Sequence, residues 1–155
     1  MYHLSAESYK WLSGWLSCGA NVGTPSTHVI GELSSLFPIT QYNTDDDTIV
    51  LYRLIAESNE VYVVNEHMTF DSRGKYTSWT TNRKVADIFK GGSDLPIIRA
   101  SVHKDFVFID TREIQPCYIT CEIQPCYITC ECSGFPEEKE VILNPCVLAE
   151  IEIVG

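Results

Sequence analysis

Short β-strand patterns recur throughout the chain between residues 48 and 154, and they constrain the fold more than any other feature. Seven segments rich in β-branched and aromatic residues are separated by turn residues. They are TIVLYRLIAE (48–57), EVYVV (60–64), YTSWT (76–80), PIIRASV (96–102), DFVFID (105–110), EVIL (140–143) and VLAEIEIV (147–154). One short helical pattern, NRKVADIFK, interrupts them and ends at Gly91-Gly92. This order favours an α+β fold over repeated strand–helix–strand units.

Two amphipathic helices are predicted before the strands. The first follows Ser5, a suitable N-cap, and the second opens at Thr24-Pro25. Their apolar faces consist of Trp11, Leu12, Trp15 and Leu16 in the first helix, and of Val29, Ile30, Leu33, Leu36 and Phe37 in the second. We interpret the polar stretch QYNTDDD that follows as a solvated linker. We therefore expect one domain over 1–155, with a helical portion at 1–45 and a sheet core at 46–155.

The charge balance argues against two classes of partner. The chain has 21 acidic and 11 basic residues, and its net charge of −10 disfavours nucleic acid and anionic membranes. A basic or neutral partner suits it better. The opening MYHLSAESYKWLSGWLSC lacks a basic start, an unbroken apolar stretch and a small-residue cleavage site, and no later run is long enough to cross a membrane. These features predict a cytoplasmic protein.

The seven cysteines form no recognisable metal or redox motif. Five lie between residues 117 and 132, but no CxxC pair occurs, so we expect reduced thiols and no bound metal. Four of them belong to a perfect tandem repeat, in which EIQPCYITC occupies 113–121 and again 122–130. A shift by an odd number of residues inverts the face that each side chain presents along a strand. We therefore expect one copy to pair in a sheet and the other to form a loop.

Arg53 is a charged residue that needs a partner. It lies in TIVLYRLIAE, where both faces of the strand are otherwise apolar. A guanidinium cannot shed its charge, so its burial there requires an anion. Two interpretations remain open: Arg53 pairs with a carboxylate of the core, or its planar fork binds a phosphate through two hydrogen bonds.

Ser78 and Thr80 present two hydroxyls on one face of the strand YTSWT, with Trp79 on the other face. Thr81 or Asn82 can then cap the short helix that follows. The segment is either a capped joint that contributes a core tryptophan, or a pair of hydroxyls that brace a neighbouring catalytic carboxylate.

Glu138 and Glu140, in FPEEKEVIL (135–143), project from one face of an extended segment and lie about 6.6 Å apart. Two carboxylates this close are unfavourable unless a cationic or electron-poor group lies between them. Charge runs of this kind are also typical of solvated turns.

These motifs together resemble the arginine–serine–glutamate class of mono-ADP-ribosyltransferases, which includes bacterial toxins and bacteriophage protein-modifying enzymes. The resemblance covers residues 48–155 and depends on the arginine of VLYR, the strand YTSWT followed by a helix, and the Glu-x-Glu of EEKEVILNP, in this order. It implies a split pair of mainly antiparallel sheets around an NAD cleft. It also implies an enzyme that transfers ADP-ribose from NAD to a target protein and releases nicotinamide.

The resemblance implies a role for each residue that matches the NAD site. Arg53 would hold the NAD phosphates and the nicotinamide-side ribose. Ser78 would bind that ribose and position Glu140, which would be the catalytic glutamate. Thr80 stands where the family often has a second serine, and Leu54 replaces a glycine that commonly follows the strand arginine.

Two further residues match the part of the family that meets the target protein. Glu138 is the first glutamate of the motif, which goes with an exposed arginine as acceptor. Phe135 stands where the family often offers an aromatic side chain to the target.

Three other functions remain open. In an NAD glycohydrolase, water would replace the protein acceptor. A non-catalytic acidic binding module on the same scaffold would have lost turnover, and Leu54 favours that interpretation. A cysteine-rich metal module is the third alternative, although its cysteine spacings are not those of known zinc sites.

Overall fold

The computed structural model describes residues 2–18, 23–39, 42, 46–113, 119–121 and 140–155. Within these segments the α-helices are α1 (Ala6–Cys18), α2 (Thr27–Leu36) and α3 (Arg83–Lys90). The strands are β1 (Tyr2–Leu4), β2 (Thr48–Leu54), β3 (Val61–Val64), β4 (His67–Asp71), β5 (Thr77–Thr80), β6 (Ile97–His103), β7 (Val107–Asp110), β8 (Ile119–Cys121), β9 (Glu140–Leu143), β10 (Val147–Leu148) and β11 (Glu152–Ile153).

The centre of the fold is a six-stranded sheet with the order β11-β6-β2-β5-β9-β7, in which every neighbouring pair is antiparallel. A second antiparallel sheet has the order β10-β4-β3, and β1 pairs with β8 in parallel. The predicted α+β class with mainly antiparallel sheets is confirmed.

The central sheet is nearly divided between β2 and β5. On the side of β2 that faces β6, the two strands pair over the whole length of β2, from Thr48↔His103 to Leu54↔Ile97. Toward β5 the ladder contains one pair, Tyr52↔Thr80. The sheet therefore consists of two halves, β11-β6-β2 and β5-β9-β7, joined at a single point. We call this point the β2–β5 joint.

Two apolar clusters cover the two faces of the central sheet. One packs α1 and α2 against the β5-β9-β7 half, with Trp11 and Phe108 in contact at a ring-centroid distance of 5.8 Å. The other packs the three-stranded sheet against the opposite face, where Phe70 meets Trp79 at 5.0 Å. Burial of each such side chain contributes about 1.5–3 kcal/mol, so these clusters hold the layers together.

The helices follow the sequence patterns closely. Helix α1 begins after Ser5, whose hydroxyl accepts from the Ser8 amide, as predicted. Helix α2 begins at Thr27 and not at the predicted Thr24-Pro25, because the hydroxyl of Ser26 caps it by accepting from the Val29 amide at 3.3 Å.

Helix α3 begins after Asn82, whose side chain accepts from the Lys84 amide, so Asn82 rather than Thr81 is the cap. It ends at Gly91, as predicted. A positive φ of 54° there favours glycine.

Two strands escape the sequence analysis. Strand β1 lies within the predicted helical portion, and β4 follows β3 through the two-residue turn Asn65-Glu66. Both turn residues have positive φ, at 50° and 68°, which is the geometry of the tight hairpin turns that usually contain glycine. Because the turn contains no glycine, the sequence pattern did not indicate this hairpin.

Three other expectations concern segments that are only partly described. Tyr42, in the segment predicted to be a solvated linker, is half-buried and donates a hydrogen bond to Asp110 at 3.1 Å. The prediction of a solvated position is therefore wrong for this residue. The end of the first repeat copy forms β8 and pairs with β1, while residues 122–130 lie outside the described residues. Within the described segments, no helix has the length and apolar character that crossing a membrane requires.

Candidate active site

A cavity of about 420 Å³ lies at the β2–β5 joint. Strands β2 and β5 and helix α3 contribute three residues each to its wall, and β9 contributes one. These residues are Tyr52, Arg53, Leu54, Ser78, Trp79, Thr80, Val85, Ala86, Phe89 and Glu140. Residues that the sequence analysis singled out in three widely separated segments therefore meet in one cavity: Arg53, the pair Ser78 and Thr80, and Glu140.

Ser78 and Glu140 are in direct contact across two strands. Thr80 pairs with Glu140 in the β5–β9 ladder, so Ser78, two residues earlier, lies on the same face as the carboxylate. The Ser78 hydroxyl donates to Oε1 of Glu140 at 2.5 Å, a length typical of a hydrogen bond from a hydroxyl to an ionised carboxylate. Glu140 is buried, with 6% of its surface exposed.

Two other residues fix Glu140 in place. The indole Nε1–H of Trp15, on α1, donates to the same Oε1 atom at 2.7 Å. The hydroxyl of Thr111, which follows β7, donates to the backbone oxygen of Glu140 at 2.5 Å. The carboxylate is therefore held by groups from α1 and β5, and its backbone by the turn after β7.

Arg53 spans the β2–β5 joint with its side chain. Nη1 donates to the backbone oxygen of Ser78 at 2.9 Å, while Nη2 lies 3.2 and 3.0 Å from Oε1 and Oε2 of Glu60. Glu60 is buried, so the structure shows the first interpretation of Arg53, a pairing with a core carboxylate. Its Nε is buried without a hydrogen-bond partner among the described residues. Because a guanidinium has five N–H donors, this pairing does not use up its capacity for an anion.

Helix α3 supplies an aromatic wall to the cavity. Phe89 lines the cavity and is 61% exposed, and the neighbouring Ile88 is 77% exposed. Singly exposed apolar side chains are common on protein surfaces, so it is the position of Phe89 in the cavity wall that makes it a candidate ligand contact. The sequence pattern identified the helix but could not show that its apolar residues turn away from the core.

A second cavity of about 320 Å³ is also lined by Arg53, the residue that the two cavities share. Trp15, Glu60 and Tyr76 are among the residues that line it. Burial raises the pKa of the Tyr76 phenol, so this side chain remains a neutral hydrogen-bonding group at physiological pH.

Cys146 is the cysteine whose side chain the structure describes in full. Burial and the nearby Asp71 carboxylate raise the pKa of its thiol to about 11, so it is a poor nucleophile at neutral pH. The described residues contain no group of three or more potential metal ligands, and the cysteine-rich repeat lies largely outside them.

Glu138 and Phe135 also lie outside the described residues, so their predicted meeting with a target protein stays a prediction. Among the residues of the described site that were not predicted as site residues are Trp15, Glu60 and Phe89. Periodicity identifies Trp15 as a residue of an apolar helix face, and nothing in the sequence connects it with a glutamate 125 residues away.

Neither a protein-family model, nor a curated protein, nor a solved structure matches this chain.

Proposed function

We propose that this protein cleaves NAD between nicotinamide and ribose and transfers ADP-ribose to an arginine of a target protein. One observation carries the proposal: the Ser78 hydroxyl donates a hydrogen bond to the buried Glu140 carboxylate in a cavity that Arg53 also lines. A hydroxyl, a carboxylate and a guanidinium are the groups that a ribose, an electron-poor glycosidic carbon and a diphosphate require.

The size and lining of the site support a dinucleotide as ligand. The first cavity falls in the range of about 300–1,000 Å³ that small-molecule sites occupy. Leu54 and Phe89 give it apolar walls, against which a heteroaromatic ring can pack. Arg53 lines both cavities, a suitable position for a group that binds the diphosphate joining two nucleosides.

The chemistry explains why a buried carboxylate is useful here. The bond between C1′ of the ribose and the nicotinamide nitrogen breaks, and its electron pair leaves with nicotinamide, which becomes neutral. Positive charge moves onto the ribose. A carboxylate about 4 Å away stabilises that charge by about 4 kcal/mol at an effective dielectric constant near 20, or roughly a thousandfold in rate. In this proposal Glu140 supplies that stabilisation and Ser78 keeps it in place.

The second half of the reaction needs a nucleophile and a base. A nitrogen of the target guanidinium bonds to C1′ and loses a proton to a carboxylate, because a protonated guanidinium is a poor nucleophile. We assign this proton to Glu138, on the resemblance alone. The acidic net charge of the chain favours encounter with a basic target surface.

An NAD glycohydrolase is the second candidate. The groups proposed to cleave NAD, Arg53, Ser78 and Glu140, would act in the same way in such an enzyme, because cleavage precedes attack by an acceptor. Water would then take the ADP-ribosyl group.

Incubation with NAD labelled in the adenylate group separates these functions. A transferase puts label on protein, and a glycohydrolase releases free labelled ADP-ribose. In Glu138→Gln we expect NAD hydrolysis to persist and arginine modification to disappear. If no product forms, calorimetric titration with NAD distinguishes a binding module that retains the dinucleotide from one that does not.

A further inference from the structure

We infer that Trp15 is a positioning residue for Glu140, whose carboxylate it holds in one orientation through its indole N–H. The catalytic consequence rests on the proposed function, whereas the contact itself does not. Trp15 belongs to α1, outside the segment from residue 48 onward that carries the resemblance. The N-terminal helix would therefore be part of the catalytic apparatus and not simply a cover for the sheet.

The inference begins with the geometry of a single oxygen atom. Oε1 of Glu140 accepts from Nε1 of Trp15 at 2.7 Å and from the Ser78 hydroxyl at 2.5 Å. The two donors come from different elements, α1 and β5. Two bonds from different directions to one oxygen fix the rotation of the carboxylate about its terminal torsion, which is otherwise broad. A catalytic carboxylate needs this restriction, because its effect depends on its distance from the developing charge.

The indole is rigid enough for this purpose. Trp15 is 2% exposed, and its ring lies 5.2 Å from that of Trp11, which in turn contacts Tyr76 and Phe108. The indole cannot rotate without repacking this cluster. A donor held by packing loses little entropy when it binds a carboxylate, so the site is preorganised before any ligand arrives.

A positioning role predicts a particular kinetic result. Trp15→Phe removes the N–H and keeps an aromatic ring in the cluster. A hydrogen bond to a charged group of this kind corresponds to about a ten- to hundredfold effect, which we expect in kcat for NAD cleavage. The KM for NAD should change less than about threefold, because Trp15 acts on the carboxylate and the inferred phosphate contact is made by Arg53.

Trp11→Phe is the matched control. Trp11 lies on the same helix and in the same aromatic cluster, but its indole donates to the backbone oxygen of Gly23 at 3.1 Å. Both variants should lose similar stability in thermal unfolding. If Trp11→Phe lowered kcat as much as Trp15→Phe, or if Trp15→Phe cleaved NAD at the wild-type rate, the positioning role would be refuted.

An isostere covers the case in which Trp15→Phe does not fold. Site-specific incorporation of 3-benzothienylalanine at position 15 replaces the indole N–H by sulfur and preserves the shape of the ring. The same fall in kcat is expected. An unchanged kcat in the folded isostere would overturn the inference.

A spectroscopic measurement tests the contact without any activity. In protein with ¹⁵N-labelled tryptophan, the indole proton of Trp15 should move upfield in Glu140→Gln, because an amide oxygen is a weaker acceptor than a carboxylate. The signals of Trp11 and Trp79 should stay in place. An unmoved Trp15 signal would refute the contact. Absence of NAD cleavage by the wild-type protein would refute the proposed function, and the indole shift would then decide alone whether Trp15 holds Glu140.

Discussion

Strand β2 meets its two neighbours in opposite ways. Toward β6 it forms a continuous antiparallel ladder, and the arginine there, Arg99, points to solvent and forms an exposed ion pair with Glu152. Toward β5 the ladder contains one pair, and Arg53 bonds to the Ser78 backbone and to buried Glu60. The contact between β2 and β6 is held by backbone hydrogen bonds, and the β2–β5 joint is held mainly by side chains.

The difference teaches where this fold can hold a ligand. A complete ladder satisfies the backbone groups and leaves no room between strands. Where the ladder ends, the strands separate, polar side chains replace backbone hydrogen bonds, and a cavity opens. The polar and charged side chains of the candidate site therefore lie at the β2–β5 joint, which has the least backbone pairing. Five variants break or sharpen this comparison, from the largest expected effect to the smallest.

Replacement of the carboxylate should have the largest effect. Glu140→Gln keeps the size of the side chain but removes the charge, so NAD cleavage should fall roughly a thousandfold, equivalent to about 4 kcal/mol in the barrier. Initial rates of nicotinamide release measure this. Glu152→Gln, at the exposed edge of the other half of the sheet, is the control and should keep the wild-type rate. Full activity of Glu140→Gln would contradict the assigned role.

Loss of the arginine at each joint compares their stability directly. Arg53→Met leaves the buried Glu60 without its ion-pair partner, and we expect the free energy of unfolding to fall by about 3 kcal/mol. Arg99→Met removes an exposed pair and should cost less than about 1 kcal/mol. Urea denaturation measures both. Equal losses would mean that Arg53 does not hold the β2–β5 joint.

The double variant Arg53→Met/Glu60→Leu sharpens this result. If the loss in Arg53→Met comes from an unpaired buried carboxylate, removal of that carboxylate should restore most of the stability. It should not restore NAD cleavage, because the guanidinium is still missing.

Serine substitutions provide a smaller, purely local comparison. Ser78→Ala removes one of the donors to Glu140, and we expect NAD cleavage to fall about tenfold, as for other hydrogen bonds to charged groups. Ser101→Ala is the comparison, because Ser101 is exposed on β6 and pairs with Val50 in the complete ladder. Its activity should equal that of the wild type, and a matching loss there would indicate a general effect on the sheet.

The smallest effect is expected away from both joints. Burial raises the pKa of Glu32, but hydrogen bonds from the hydroxyl and backbone amide of Ser5 and the charge of His28 outweigh it, so the pKa is lowered from its usual value of 4.5. A lowered pKa stabilises the fold above 4.5, and this contribution is lost as the pH falls through the folded-state value. Because Glu32 is partly exposed and its interactions are screened by solvent, Glu32→Gln should cost less than about 1 kcal/mol at neutral pH. Near pH 3, the loss measured by denaturation should become smaller still.

Much of the secondary structure could be predicted because its signals are local. The alternation of YTSWT determined that Ser78 and Thr80 share a face and that Trp79 lies on the other. Helix caps and the glycine after α3 also act within a few residues. The hairpin between β3 and β4 was missed because Asn65 and Glu66 both adopt positive φ, which is not expected from a turn without glycine.

The candidate site was predictable in part. Charge burial indicated that Arg53 needs an anion, but the anion in the structure is Glu60, which sequence analysis had placed in a strand and given no role. The exposure of Phe89 depends on how α3 sits against the sheet. No periodic pattern contains that information.

The sequence by itself determined most of the helices and strands and which faces they present, because those preferences arise within one or two turns of backbone. Only the tertiary structure decided that β2 and β5 touch at one pair, and that Ser78 and Trp15 reach the same oxygen of Glu140. Contacts between residues 62 and 125 positions apart depend on how layers pack, and packing is a property of the whole chain.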